Sequence, residues 1–197
     1  MTQKNPNPQG KGLVPVLAAL HHASDALCII PKTVEQISAD LFTSMFVLES
    51  RFQFKPIRGR KYWLYRYGER FQLSPVFPEQ WSVPTFDQVI GCCELQEDLA
   101  WTLELSPEAA QDLQLLEYIR INRERFEQSL QASESMQSAL PVYVATLPFY
   151  QRVFAAALAS SLRQSMQLTG IAQLTYEQAL QRLPAPLDDN NDTEHQD

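Results

Sequence analysis

Lys61-Tyr62-Trp63-Leu64-Tyr65-Arg66-Tyr67, then Gly68-Glu69, then Arg70-Phe71-Gln72-Leu73-Ser74 is the stretch on which the fold turns. Two runs of aromatic and aliphatic residues are parted by two residues, and glycine at the first loop position suits a type II′ turn, whose twist matches an antiparallel hairpin. Such a loop fixes the register. Tyr67 opposes Arg70, Arg66 opposes Phe71, Tyr65 opposes Gln72, Leu64 opposes Leu73 and Trp63 opposes Ser74. Alternation then sorts the side chains onto two faces. Tyr62, Leu64, Phe71 and Leu73 form a core side, whereas Lys61, Trp63, Tyr65, Tyr67, Arg70 and Gln72 form a polar and aromatic surface.

Outward from this hairpin (about 61–74), the pattern changes. A third strand is expected at about 88–95, after a connection punctuated by Pro75, Pro78 and Pro84. Upstream, Thr33 and Gln36 have capping-box spacing, and Val34, Ile37, Leu41, Met45, Leu48 and Phe52 recur at helical steps, which predicts a helix over about 33–52. Downstream, Ser106 as cap, Pro107 in the first turn and Ala109, Leu113, Leu116, Ile119, Phe126 and Leu130 along one face predict a helix over about 106–131. Two more are expected, at about 149–168, stopped near Gly170, and at about 176–183, opened by Thr175 with Gln178 and ended by Pro184. The sum is an α+β domain: a small antiparallel β-sheet packed with three to four α-helices. That domain should span 33–187, preceded by a Pro/Gly-rich N-terminal arm (1–32) with at most a short helix at 17–28.

The chain has 197 residues, with 16 Lys and Arg against 23 Asp and Glu, a net charge of −7, 45% apolar residues and 20% charged ones. These values suit one globular domain and exclude collagen-like, wholly disordered, disulfide-built and strongly basic nucleic-acid-coating classes. The unevenness of the charge is more informative. Residues 51–70 hold seven cations (Arg51, Lys55, Arg58, Arg60, Lys61, Arg66 and Arg70) and one acid, Glu69, a local net of +6. Asp188, Asp189, Asp192, Glu194 and Asp197 make an acidic tail (188–197), expected to be disordered and able to compete for that basic window. Residues 135–176 carry only Arg152 and Arg163 as charges, which predicts elements packed inside the molecule or against a partner such as a second copy.

The three cysteines do not suggest a disulfide framework. Cys92 and Cys93 are adjacent, a geometry that resists pairing, and Cys28 is remote in sequence. Reduced thiols and a polar N-terminus point to a cytoplasmic location. The longest uncharged run is broken by Pro141 and Pro148, too interrupted to span a membrane.

The polar-aromatic hairpin face is the strongest functional feature. Rings on a sheet interleaved with cations can stack unpaired bases while the cations meet phosphates. The same rings can instead be covered by another helix of the chain, or meet a partner protein. The candidate binding residues are Arg58, Arg60, Lys61, Trp63, Tyr65, Arg66, Tyr67 and Arg70. No metal cage is visible, since His21 and His22 diverge and His195 lies in the tail. Cys92 and Cys93 lack a histidine at motif spacing. Gln9-Gly10-Lys11-Gly12 lacks the remaining elements of a phosphate loop, and Glu94, Glu97, Asp98 and Glu104 show no acid/base spacing.

Tyr62-Trp63-Leu64-Tyr65-Arg66, Phe71-Gln72-Leu73-Ser74-Pro75, Pro78-Glu79-Gln80-Trp81, then Phe86, Gly91, Leu95, Asp98 and Trp101 occur in an order that resembles the family catalogued as domain of unknown function 2452, with bacterial and eukaryotic members. The opening Asn5-Pro6-Asn7-Pro8-Gln9-Gly10-Lys11-Gly12-Leu13-Val14-Pro15-Val16 is similar to the start of its bacterial members. The resemblance spans about residues 5–105, departs from the family at Gln80, where a glutamate is expected before Trp81, and implies no particular activity or cofactor.

The leading expectation is therefore a non-enzymatic binding or adaptor module, without cofactor, that uses the basic aromatic hairpin face for a protein or single-stranded nucleic-acid partner. One alternative is a small-molecule enzyme with a pocket between sheet and helices and Cys92, Cys93, Asp98 or Tyr65 as polar participants. The other is self-assembly through residues 135–176.

Overall fold

The structure, a computed structural model, describes residues 30–83, 85–142 and 144–182. The expected short helix at 17–28, His21, His22, Cys28, the Gln9–Gly12 turn and the acidic tail lie outside these residues. The fold is α+β: a four-stranded antiparallel sheet with helices on one face.

In chain order the elements are α1 (Val34–Leu48), β1 (Lys61–Tyr67), β2 (Arg70–Ser74), β3 (Gln88–Leu95), β4 (Trp101–Leu105), α2 (Leu113–Gln131), α3 (Phe149–Leu168) and α4 (Tyr176–Leu180), with 3₁₀ turns at Pro78–Gln80 and Ala109–Gln111. The sheet order is β2-β1-β3-β4. All five expected hairpin pairs occur in the expected register. Gly68 has φ +59° while Glu69 is not in the positive-φ region, as the primed turn with glycine first requires.

The register between β1 and β3 shifts once. Leu64 pairs with Gly91 and Tyr65 with Val89, so Ile90 is an extra residue with no partner on β1, a bulge that sends it into the core. Gly91 sits where β4 comes closest. A β-carbon there would lie 2.1 Å from the Glu104 carbonyl oxygen, so only glycine permits the observed pairing of Gly91 with Leu105.

β4 was not anticipated by the sequence reading. It is an edge strand, and its first N–H, from Trp101, donates to the Ser44 hydroxyl of α1 (2.8 Å), which ties the helix to the sheet. The β3–β4 connection turns at Leu99, with φ +70°, a conformation that costs a leucine about 1–2 kcal/mol. Burial of the Leu99 side chain offsets that cost.

Three helix predictions hold in type, and two of them shift in extent. α1 begins with the expected capping box at Thr33 and Gln36 but ends at Leu48, four residues before Phe52. α4 has the expected box at Thr175 and Gln178 and is also shorter. α3 matches its prediction and closes at Gly170, where Gly170 N–H meets the Gln167 carbonyl and Ile171 N–H that of Met166. The helix expected from 106 starts only at Leu113. Ser106 accepts the Ala109 N–H and caps the 3₁₀ turn, and the Asp112 carboxylate accepts the Gln114 and Leu115 N–H groups and caps α2.

The core has two connected parts. Between sheet and helices lie Tyr62, Leu64, Leu73, Ile90, Cys93, Leu95 and Trp101, met by Val47, Leu48, Phe154 and Ala155. Among the helices lie Val34, Ile37, Leu41, Leu130, Leu158, Leu162 and Met166. α1 belongs to both. Residues 30–32 are held against this body: the Ser165 hydroxyl donates to the Ile30 carbonyl and accepts the Lys32 N–H (both 3.0 Å), while the Lys32 ammonium bridges Asp40 and Asp98. Among the described residues no helix is long and apolar enough to cross a membrane.

Candidate functional site

The face of the sheet turned away from the helices carries Trp63, Tyr65 and Tyr67 on β1, as alternation requires. It is not open along its length. Residues 75–83 and 85–86 cross it as a strap, anchored where the Ser74 hydroxyl accepts the Val76 N–H (3.1 Å) and the Tyr65 hydroxyl donates to the Val76 carbonyl (2.7 Å). The Gln80 side chain accepts the Phe77 N–H (3.0 Å) and holds the 3₁₀ turn.

Under the strap Tyr65 is fully buried. Its ring centroid lies 4.5 Å from that of Phe86 and 5.8 Å from that of Trp81, whose indole N–H donates to the Tyr65 hydroxyl (3.3 Å). Burial pushes the Tyr65 phenol above its ordinary pKa, with the Trp81 hydrogen bond acting in the opposite sense. Tyr65 is thus a keystone of the strap rather than a stacking surface. This corrects the expectation of three open rings and also the expectation that a helix would cover them. Trp63 is half-buried, with Phe77 against it at 3.9 Å between centroids, and Phe77 remains 45% exposed. The reachable aromatic surface is therefore Trp63 with Phe77, beside the half-buried Tyr67 and Trp81.

The cations do not converge. Arg58 pairs with Glu97 (3.3 Å) beyond the start of β1. Arg66 alternates onto the helix side of the sheet and pairs with Asp112 (3.3 Å) at the start of α2. Lys61, directly across from Glu94, and Arg70, directly across from Tyr67, are exposed near opposite ends of the hairpin, roughly 20 Å apart at the rise of a strand. Arg60 is exposed, with its guanidinium 6.0 Å from the centre of the Tyr62 ring, the outer limit of a cation–π contact. The +6 window is thus spread over both faces and both ends of β1, and two of its members are matched by carboxylates.

Cys92 lies on the outer face between Trp63 and Glu104, and Cys93 points into the core. Partial burial, aided by Glu104 and Glu94 against the opposing charge of Lys61, pushes the Cys92 thiol up, and near-complete burial pushes the Cys93 thiol far above its ordinary value. Both stay protonated near neutral pH, which leaves no activated thiolate for the enzyme alternative. Asp98 is engaged twice, by the Lys32 ammonium and by the Ala100 N–H (3.1 Å). Among the described residues no three His, Cys, Asp or Glu side chains are grouped to hold a metal ion.

Phe77, Trp81 and Phe86 were missed as members of this face. Their signal was present: three aromatics in a connection punctuated by prolines mark a segment that packs rather than one that merely links. Comparison with protein-family models, curated proteins and solved structures yields no match. The resemblance to the domain of unknown function 2452 family therefore rests on the quoted residues alone.

Proposed function

We propose that this chain is a binding module that takes a protein partner on the strapped half of its sheet. The observation that carries the reading is the Trp63 and Phe77 pair, an aromatic contact raised on a rigid sheet with one ring 45% exposed. On the same face stand exposed Lys61 and, toward the hairpin turn, Arg70, and exposed Glu79 lies two residues after Phe77 on the strap, charges of both signs. Aromatic anchors inside a mixed polar rim suit protein interfaces. A single-stranded nucleic acid instead favours successive open rings beside gathered cations, and here Tyr65 is buried while Arg58 and Arg66 face carboxylates.

A photoreactive benzoylphenylalanine at position 77 tests this in cells. The expected result is a discrete protein adduct whose yield falls at least fivefold with Trp63→Ala, against no adduct from the same group at position 114 on α2. An adduct indifferent to Trp63→Ala would sink the reading. So would saturable, salt-sensitive binding of single-stranded RNA that drops on Trp63→Ala, which would restore the stacking platform instead.

A further inference from the structure

A second aromatic surface lies on the other side of the molecule, and it concerns the chain's own N-terminal region. Phe42 and Phe46 of α1, Phe126 and Tyr118 of α2, and Phe71 of β2 form a continuous run, with centroid separations of 5.7 Å (Phe42 to Phe126), 6.4 Å (Phe42 to Phe46), 5.2 Å (Phe46 to Phe71), 6.5 Å (Phe46 to Tyr118) and 5.9 Å (Phe71 to Tyr118). None of the five is buried, and Tyr118 is 49% exposed. Phe46 meets Tyr118 whereas Phe42 meets Phe126, so α2 runs antiparallel to α1, and the rings line the groove between the two helices. α2 buries only Leu115 and Leu130.

The sequence before the described residues carries matching chemistry. Residues 13–29 contain seven Leu, Ile and Val side chains and a single formal charge, Asp25. Moving these aliphatic groups from water onto an apolar surface is favourable. The point where this segment joins the body is fixed by Ser165 on Ile30 and Lys32 and by the Lys32 bridge to Asp40 and Asp98, at the N-terminal end of α1. From Val34 the helical rise places Phe42 about 12 Å and Phe46 about 18 Å along α1. Seventeen residues span about 25 Å as a helix and more when extended, so the segment reaches the whole groove in either form.

We propose that the groove between α1 and α2 is the seat of the chain's own residues 13–29, which pack their aliphatic side chains on Phe42, Phe46, Phe126 and Tyr118. The segment then completes the burial that α2 lacks. This assignment is independent of the partner surface around Trp63, which lies on the opposite face of the sheet.

Cysteine trapping in the full-length chain tests it. On a Cys28→Ser, Cys92→Ser background, Tyr118→Cys is combined in turn with Leu17→Cys, Leu20→Cys and Leu27→Cys, and oxidised at low protein concentration. At least one pair is expected to close within a single chain ten times faster than the same N-terminal cysteine paired with Glu104→Cys on the outer face. Bands of crosslinked dimer, which would give the groove to a second copy, overturn the proposal, as do rates no higher than the control. A second measurement uses Leu17→Glu with Leu20→Glu, checked by circular dichroism for retention of the fold. Amide exchange across α2 should accelerate at least tenfold in that variant, and unchanged exchange would overturn the proposal.

Discussion

α2 and α3 are nearly the same length, 19 and 20 residues, and they live in different surroundings. α3 buries ten side chains, among them Val153, Phe154, Leu158, Leu162 and Met166, and the Gln151 side chain, itself buried, donates to the Phe52 carbonyl (3.2 Å). α2 buries two. It spends its surface on Glu117, Arg120, Arg123, Glu124 and Glu127, paired along the helix at three- and four-residue spacing. Such exposed pairs contribute only a few tenths of a kcal/mol each. One helix is embedded in the core, and the other is held by its cap, by Leu115 and Leu130 near its two ends and by contacts of partly exposed rings with α1 and β2. The charge-poor composition of residues 135–176 thus finds its use, for α3, inside the chain.

The largest test of this contrast is Leu158→Ala, which should lower unfolding stability by about 2–5 kcal/mol in denaturant titration, since the side chain is completely buried. A loss below about 1 kcal/mol would mean that α3 is no more embedded than α2. Next comes amide exchange in the wild type. α2 should open locally at lower free energy than α3, which should exchange only near the global limit. Equal protection of the two helices would erase the distinction.

A smaller effect is tied to pH. The Asp112 carboxyl lies below its ordinary pKa, chiefly through the Leu115 N–H, with added attraction from Arg66 and an opposing contribution from desolvation. Because the folded value is depressed, its contribution is complete above the unfolded carboxyl pKa and fades as pH falls toward the folded one. The stability gap between wild type and Asp112→Ala should therefore be widest near neutrality and close on acidification below about pH 4, the ordinary carboxylate range. The smallest effect belongs to Leu113→Ala. That side chain is 79% exposed, and the substitution should shift stability by no more than about 0.5 kcal/mol.

The same contrast shows what the sequence made legible. The hairpin could be read to the residue because alternation, a two-residue loop and Gly68 at its first position all act within fourteen residues. The boxes at Thr33 and Thr175 are equally local. β4 escaped notice because Trp101-Thr-Leu-Glu-Leu is short, sets Thr102 and Glu104 among apolar residues, and follows a turn at Leu99 where glycine or asparagine would have advertised a positive φ. The start of α2 was misplaced because Ser106-Pro107 has the chemistry of a helix opening, yet it serves a 3₁₀ turn, and the carboxylate of Asp112 does the capping. At the candidate face, the outward direction of Trp63, Tyr65 and Tyr67 followed from parity, but their fate depended on Phe77, Trp81 and Phe86 folding back over the sheet. That is a tertiary event. The placing of Arg66 and Arg70 on opposite faces follows from the same parity, whereas the pairing of Arg58 with Glu97 and of Arg66 with Asp112 joins distant segments and is tertiary.

The close approach at Gly91 also sets a condition on other chains. No side chain larger than hydrogen fits opposite the Glu104 carbonyl, and the preceding Ile90 is the bulge residue that turns into the core. Any chain that pairs its third and fourth strands in this way needs glycine at this point, whatever its surface residues. That glycine, placed after a two-residue hairpin, is a criterion by which a chain of different surface sequence can be judged able to form the same sheet.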